Sequence, residues 1–308
     1  MKNNMTFFYN NLSYRFNIKY MIITVTCNPA IDKTITGEGE VFDVGGKGIN
    51  VSKVLKNMNT DSLAIGFIGK ENKDIVYDYL DKMGIDHNFI EIEGRVRTNT
   101  KRIVDGDLEE HNEAGPSVDE KSKQKLLDLC ASFTNEVVAI SGSAPKNIDD
   151  DYYEKLVNVL KKNGNYVILD CDKALLKNAV KAKPDVIKPN IAELERLFEC
   201  SMNKEEMVEK VRSLGIGTVC VSMGSKGATF ITKDKTYTCK ALDVNFVSPL
   251  GCGDSMVAAF AYSKFNNLSM EETVKYAMAF ASAQSETSGS SPAVKDRIEY
   301  FKEIVVYE

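Results

Sequence analysis

Positions 247–260 read VSPLGCGDSMVAAF, a glycine-rich loop that runs directly into a strongly helical segment. Gly251 and Gly253 expose backbone N–H groups at the helix start, where free donors and the helix dipole favour an anion. Asp254 falls in the first turn, where a carboxylate can accept a proton from a hydroxyl while the amides hold a phosphoryl group. The alternative is that Asp254 only complements the helix dipole.

A second glycine-rich loop, GGKGINVSKVL at positions 45–55, also leads into a helix. Its glycines would let a ligand approach the backbone closely, and Lys47 and Asn50 could bind hydroxyls or a phosphate. The alternative is an ordinary turn in which Asn50 caps the helix. The sequence has neither a Walker A loop nor a Gly-x-Gly-x-x-Gly pattern after its first strand, so any nucleotide must be bound by other means.

Strands and helices alternate around these loops. Runs rich in β-branched residues predict strands at Ile22–Thr26, Leu63–Phe67, Val137–Ser141, Tyr166–Leu169, Val186–Lys188 and Thr218–Ser222. Helical spacing of apolar residues predicts helices at Ile75–Met83, Lys123–Phe133, Tyr152–Leu160, Met207–Leu214 and Thr273–Ala283. The alternation predicts an α/β fold, a mostly parallel sheet with helices on both faces and ligands beyond the carboxyl ends of its strands.

Two stretches break the alternation. They are Lys33–Val44 and Thr98–His111, and the second contains Asp105-Gly106, a pair typical of hairpin turns. We interpret them as a small β appendage beside the main sheet.

Composition indicates which partners to expect. The net charge is −5 over 308 residues, without long blocks of one sign, so neither nucleic acid nor a membrane surface is an expected partner. Seven scattered cysteines without a Cys-x-x-Cys pair, together with only two histidines, disfavour a zinc site or a disulfide framework. Small-molecule partners and a reducing, cytoplasmic location are expected.

The first twenty residues do not resemble the rest of the chain. Met1–Tyr20 are rich in Asn, Tyr and Phe and lack the apolar run of a signal peptide or membrane span. Met21 precedes the first predicted strand. We therefore expect residues 1–20 to be a tail, native or not, and residues 21–308 to form the folded domain.

Taken together, the motifs resemble the ribokinase-like sugar kinases, and within them the branch of 1-phosphofructokinase and tagatose-6-phosphate kinase. The resemblance runs in order from Met21 to about Ile304. Besides the two glycine loops, it is carried by Asn28–Asp32, Ile140–Pro145, Ile187–Leu194 and Val221–Gly227.

This resemblance implies a role for each matching position at the acceptor end of the site. Asp254 would be the catalytic base, beside an anion hole made by Gly251, Cys252 and Gly253. Asp32 would bind sugar hydroxyls, and Arg97 would reach the phosphate already on the substrate, which suits its planar guanidinium. The sugar site would be completed by Gly46, Lys47, Asn50 and Ser141.

The resemblance also implies a site for ATP with Mg²⁺. Asn190 and Glu193 would organise Mg²⁺, partly through water, as hard cations prefer oxygen ligands. Since Asn with Glu three residues later also forms a capping box, the two residues could equally be a helix cap. The nucleotide-binding positions would be Lys188, Ser222, Gly224 and Gly227, although 222–227 could otherwise form a simple turn.

The sequence departs from the family pattern at the lid. Relatives usually carry a longer segment between the counterparts of Asp32 and Gly45, including lid strands and a basic residue near the sugar phosphate. Here only Lys33–Val44 remain, so we expect a smaller β lid, near 33–44 and 98–111, and greater reliance on Arg97 and Lys47. Lids also make subunit contacts in relatives, which leaves a homodimer open.

The implied activity is transfer of a phosphoryl group from ATP to a ketose phosphate. Fructose 1-phosphate, giving fructose 1,6-bisphosphate, is the first choice of substrate, and tagatose 6-phosphate is the alternative. A sugar-phosphate sensor without catalysis is the alternative of another class, and the presence of Asp254, Gly253, Asn190 and Glu193 argues against it.

Overall fold

Strand β1, Ile22–Thr26, is buried at every position and lies inside a nine-stranded sheet. The computed structural model describes residues 22–36, 39–104, 107–288 and 291–308. The other strands of this sheet are β4 (Ser62–Gly69), β5 (Asp86–Ile92), β8 (Val137–Ser141), β9 (Tyr166–Asp170), β10 (Val186–Ile187), β11 (Thr218–Ser222), β12 (Ala228–Thr232) and β13 (Thr236–Cys239).

The sheet is mostly parallel. Its order is β13-β12-β11-β10-β9-β8-β1-β4-β5, and the strands from β11 to β5 run parallel. Only β12 and β13, at one edge, pair antiparallel with their neighbours in the described part of the sheet. The parallel strands therefore direct their carboxyl ends to one common edge, where ligands bind in open α/β folds.

Ten α-helices lie in the described residues and cover the sheet. They are α1 (Lys47–Asn57), α2 (Lys73–Met83), α3 (Glu120–Cys130), α4 (Tyr152–Lys162), α5 (Lys173–Ala179), α6 (Ile191–Phe198), α7 (Lys204–Ser213), α8 (Cys252–Phe265), α9 (Met270–Ser285) and α10 (Lys295–Ile304). Short 3₁₀ turns occur at Val180–Ala182 and Gly224–Lys226. No helix among the described residues is long and apolar enough to cross a bilayer.

Two large apolar clusters pack against the sheet, because successive side chains of a strand point to opposite faces. Ile23 and Val138 belong to the cluster shared with α3 and α4, whereas Ile22 and Val137 belong to the one shared with α8 and α9. The central strands are thus buried on both faces, as expected for a parallel sheet between helices.

A second sheet of four strands lies apart from the first and forms the lid. Its strands are β2 (Ala30–Thr36), β3 (Gly39–Gly45), β6 (Arg97–Val104) and β7 (Asp107–Asn112), in the order β3-β2-β6-β7. The β2–β3 hairpin is antiparallel from Ala30 opposite Gly45 to Thr36 opposite Gly39. The segment between Asp32 and Gly45 therefore still contributes to two paired antiparallel strands.

The structure confirms the predicted fold class and the β appendage. The predicted strands at Ile22–Thr26, Val137–Ser141 and Thr218–Ser222 match the observed bounds. The predicted tail at residues 1–20 and the turn Asp105-Gly106 lie outside the described residues.

Candidate active site

A cleft of about 610 Å³ opens between the lid and the carboxyl ends of the central strands. Ser141, the last residue of β8, lines it together with Lys47 from the start of α1, Arg97 from β6 and Glu193 from α6. These four predicted site residues come from distant parts of the sequence. The parallel topology brings them together because it gathers the strand ends at one edge.

The start of α8 provides backbone donors for an anion. Gly251 precedes the helix in the left-handed conformation, φ 77°, which glycine adopts without strain. The helical ladder begins with the Ser255 N–H bonded to the Gly251 oxygen at 2.8 Å, and the Cys252 N–H points to the Pro249 oxygen at 3.4 Å. The N–H groups of Gly253 and Asp254 precede Ser255, the first residue whose N–H bonds within the helix, and are available to a phosphoryl group.

Asp254 is buried, with 7% of its surface exposed, at the base of this helix. Its Oδ2 accepts a hydrogen bond of 2.8 Å from Nδ2 of Asn50 in α1. Burial raises the pKa of Asp254 to about 6, and Asp170 adds to the rise, while Lys47 and Asn50 oppose it. Such a carboxylate is suited to take up a proton near neutral pH.

The alternatives considered for these two residues do not describe the geometry. Asn50 is not the cap of α1, since Gly46 occupies that position and the Asn50 amide contacts Asp254 instead. Asp254 does lie in the first turn of α8, but its burial distinguishes it from a solvated residue that complements the dipole. Gly46 has φ 118°, and a Cβ there would approach the Thr26 methyl to 2.8 Å.

A buried carboxylate, Asp170 at the end of β9, lies between two lysines. Its Oδ2 is 3.3 Å from Lys47 Nζ and its Oδ1 is 3.4 Å from Lys188 Nζ. Burial alone would raise the pKa of Asp170, but Lys188 and Lys47 outweigh it and lower the pKa. The pKa of Lys47 is raised, because Asp170, Asp254 and Glu193 together outweigh its burial. Lys47 is therefore charged at neutral pH.

Lys188 also lies beside the anion-binding turn. A Cβ built on Gly253 would be 3.1 Å from the Lys188 Nζ, so a larger residue at position 253 would crowd the ammonium group. The lysine charge and the helix N–H groups consequently face the same small space. A phosphoryl group in that space would meet both.

Arg97 of β6 lines the cleft and interacts electrostatically with Asp32 of β2. Asp32 Oδ1 accepts a hydrogen bond of 2.8 Å from Nδ2 of Asn99, and burial raises the pKa of Asp32. A Cβ on Gly45 would collide with the Asp32 carboxylate, which explains the glycine at that position. Arg97 Nε donates to the Asn28 carbonyl oxygen at 3.3 Å, and burial lowers its pKa.

Several buried polar atoms around the cleft have no hydrogen-bond partner within the described part of the chain. They are Thr26 Oγ1, Asn28 Oδ1, Asn50 Oδ1 and Ser141 Oγ. Unpaired buried polar atoms are uncommon in folded proteins, and a ligand rich in hydroxyl groups would satisfy them.

Of the four predicted nucleotide residues, Ser222 and Gly224 line a second cleft, whereas Lys188 does not. Asn190 and Ser222 form a β-bridge, and this second cleft, of about 530 Å³, is lined by Asn190, Ser222 and Gly224 among others. Gly227 does not line this cleft. Its φ of 97° and the close approach of the Cys239 carbonyl account for the glycine there.

Asn190 and Glu193 form the capping box of α6, as the alternative interpretation predicts. The Asn190 Oδ1 accepts from the Glu193 N–H, and the Glu193 Oε2 accepts from the Asn190 N–H, each at 2.9 Å. No group of three or more metal-binding side chains occurs in the residues that the structure describes.

Sequence reasoning missed Asp170. A signal for Asp170 was present in the sequence. Strand β9, Tyr166–Asp170, ends on this carboxylate, at the edge of the sheet where ligands bind. It was overlooked because Asp170 belongs to no glycine-rich motif, whereas the glycine loops drew attention to their own neighbours.

Comparison with known proteins agrees with this geometry. Residues 16–297 match the family described as pfkB family carbohydrate kinase. The chain belongs to the pfkB family of carbohydrate kinases. Within this family, it is 34% identical over 304 residues to a 1-phosphofructokinase of Borreliella burgdorferi, covering 92% of this chain and 95% of the relative. It is 31% identical over 294 residues to a 1-phosphofructokinase of Bacillus subtilis, covering 90% and 94%.

The fold comparison extends to a pfkB kinase of known structure. Phosphofructokinase-2 of Escherichia coli, solved in complex with potassium, superimposes with a TM-score of 0.85 over 92% of this chain and 98% of that one. The identity is 24%, so this likeness concerns the fold.

Proposed function

We propose that this chain is a 1-phosphofructokinase, which transfers the γ-phosphoryl group of ATP to the 6-hydroxyl of fructose 1-phosphate. The observation that carries the proposal is Asp254, buried at a helix start with free N–H groups and held by Asn50. The two curated relatives described above carry that name and cover nearly the whole chain, which supports fructose 1-phosphate over tagatose 6-phosphate.

The reaction divides between two sets of residues. Asp254 takes the proton of the acceptor hydroxyl, the resulting oxygen attacks the γ-phosphorus, and the bond to the ADP oxygen breaks. The N–H groups of Gly253 and Asp254 and the Lys188 ammonium are arranged to stabilise the negative charge that moves through the phosphoryl group. Cys252 and Gly251 shape this turn.

The acceptor is oriented by residues at the lid end of the cleft. Asp32 accepts hydrogen bonds from sugar hydroxyls, and Ser141 and Asn50 have unpaired oxygen atoms available to them. Arg97 binds the phosphate of the substrate through its planar guanidinium, with Lys47 as a second cation in the same cleft. These contacts hold the hydroxyl near Asp254, and such positioning is a large part of catalysis.

ATP with Mg²⁺ completes the proposal. When bound, Mg²⁺ would supply positive charge that neutralises the phosphates of ATP. Glu193 of α6 would help to hold it through water, while Lys188, Ser222 and Gly224 would border the nucleotide.

ADP release measured with a panel of ketose phosphates tests the proposal. We expect turnover with fructose 1-phosphate to exceed turnover with tagatose 6-phosphate and with unphosphorylated fructose. Binding of these compounds without any ADP release would favour the sensor instead.

A further inference from the structure

Lys53 of α1 is a cation with no solvent exposure. Its Nζ is 2.9 Å from Oδ1 of Asp43, on lid strand β3, and 4.8 Å from the ring centre of Tyr79, on α2. A buried ammonium group is costly unless a partner compensates its charge. The contact therefore ties the lid to two helices of the main body.

Asp43 lies directly opposite Asp32 in the β2–β3 register. Like charges facing each other across paired strands repel. Asp32 is the residue proposed to bind the sugar hydroxyls. Because of the repulsion from Asp43, the charge of Asp32 depends on how the charge of Asp43 is compensated. Lys53 contributes this compensation at Asp43 and also interacts electrostatically with Asp32.

We propose that Lys53 is a positioning residue for the sugar phosphate: by holding Asp43, it fixes lid strand β3 against the core and balances the negative charge beside Asp32. This inference rests on the proposed function, since it assumes that Asp32 contacts the acceptor. It assigns a role in substrate binding to a side chain that does not line the cleft.

The chain offers a matched control in Lys123 of α3. It is also buried, with 4% exposure, and it pairs with Glu120 at 2.6 Å and Asp149 at 3.2 Å. Neither partner lies in the cleft-facing lid. Lys123→Met therefore removes a buried lysine and its ion pairs while leaving the surroundings of Asp32 intact.

The first measurement compares Michaelis constants. We expect Lys53→Met to raise the KM for fructose 1-phosphate roughly tenfold and to change the KM for ATP less than about twofold. Lys123→Met should leave both constants unchanged, whatever it does to thermal stability. An unchanged KM for fructose 1-phosphate in folded Lys53→Met would overturn the inference, as would equal effects of the two variants.

The second measurement separates charge from packing. The charged groups that face Asp32 are Asp43 on β3, Lys53 on α1, and Arg97 and Lys101 on β6. Those that face Lys53 are Asp43, Asp32 and Asp254, with the Tyr79 ring beside them. Asp43 raises the pKa of Asp32 and Lys53 lowers it, so removing either group should move that pKa in a known direction.

Binding of fructose 1-phosphate is followed by calorimetry from acidic to neutral pH, in an Asp254→Asn background that removes the carboxylate of the proposed base. Loss of binding should shift to higher pH in Lys53→Met and to lower pH in Asp43→Asn. The phosphate of the ligand titrates identically in every variant and cancels. A role in packing alone would shift neither curve, or both in the same direction, and would overturn the inference.

Two further outcomes are distinguishable. If Lys53→Met does not fold, Asp43→Asn tests the inference by itself. A binding curve for Asp43→Asn that is unchanged, or that shifts to higher pH, then counts against the inference. Absence of turnover in the unaltered protein would contradict the proposed function, whereas the binding comparison would still test Lys53.

Discussion

Asp254 combines three properties at the residue scale: burial, a hydrogen bond from Asn50, and a position at the donor-rich start of α8. As the proposed general base, Asp254 is already oriented before substrate arrives. The contribution of Asp254 to kcat should therefore be lost almost entirely when its side chain can no longer accept a proton.

We expect Asp254→Asn to lower kcat by about 10² to 10⁴, the usual contribution of a general base, with ATP affinity retained. Asparagine has nearly the same shape, and the protein should remain folded. Single-turnover kinetics and ATP titration check this. Turnover close to that of the unaltered enzyme would return Asp254 to a role at the helix dipole.

The pH profile gives an independent test. Because Asp254 must be deprotonated to act as a base and burial raises its pKa to about 6, kcat should fall as the pH drops below about 6. Residual turnover in Asp254→Asn should lack this acidic limb. If both enzymes show the same limb, another group titrates in it.

Arg97→Ala should chiefly weaken recognition of the phosphate on the acceptor sugar. A charge-assisted contact is worth about 1.5 to 3 kcal/mol, so kcat/KM for fructose 1-phosphate should fall roughly ten- to a hundredfold. Binding of ATP should scarcely change. The informative control is unphosphorylated fructose. Equal losses of kcat/KM on both sugars would mean that Arg97 does not recognise the phosphate.

At the scale of the element, the N-terminal turn of α6 has two proposed duties. Its capping box uses both Asn190 and Glu193, and Glu193 also lines the cleft. Each duty uses the same carboxylate, but only one of them depends on metal concentration.

Glu193→Gln should raise the Mg²⁺ concentration needed for half-maximal rate more than it lowers the melting temperature. Glutamine keeps a side-chain oxygen for the cap but loses the charge that attracts the cation. Glu206→Gln is the matched control, because Glu206 completes an equivalent capping box with Asn203 on α7. A lower melting temperature with an unchanged Mg²⁺ titration would leave capping as the main role.

Elements with a strong local signal were predictable from sequence. The strands Ile22–Thr26 and Val137–Ser141 are short runs rich in β-branched residues, which favours a strand over a buried helix segment. Helix α8 was recognised through its glycines. The partners of Asp43 and Asp170 were not predictable, because Lys53 and Lys188 reach them only after the chain has folded.

At the scale of the whole molecule, the lid presents apolar side chains to solvent. Val41 and Phe42 of β3 are 65% and 58% exposed. Adjacent strand residues point to opposite faces, so both faces of this edge strand are partly apolar. Exposed apolar surface on a lid is typical of a protein contact, which supports the homodimer left open by the sequence.

We predict that the unaltered chain is a dimer and that Phe42→Ser shifts it toward the monomer. Ile304→Ser, on α10 and 44% exposed, is the control for a general change in surface apolarity. Analytical ultracentrifugation over a concentration series measures both. A monomer in the unaltered protein, or the same shift in the control, would exclude a dimer through the lid.

The β2–β3 hairpin bears on how the lid of this enzyme could change in length during evolution. Its two roots, Ala30 and Gly45, pair with each other, while its far end pairs Thr36 with Gly39. Because strand side chains alternate with a period of two, residues can be lost in even numbers from each strand without turning Asp32 away from the pocket. Evolution can therefore trim or extend the lid by such steps and leave the inherited chemistry at its roots intact.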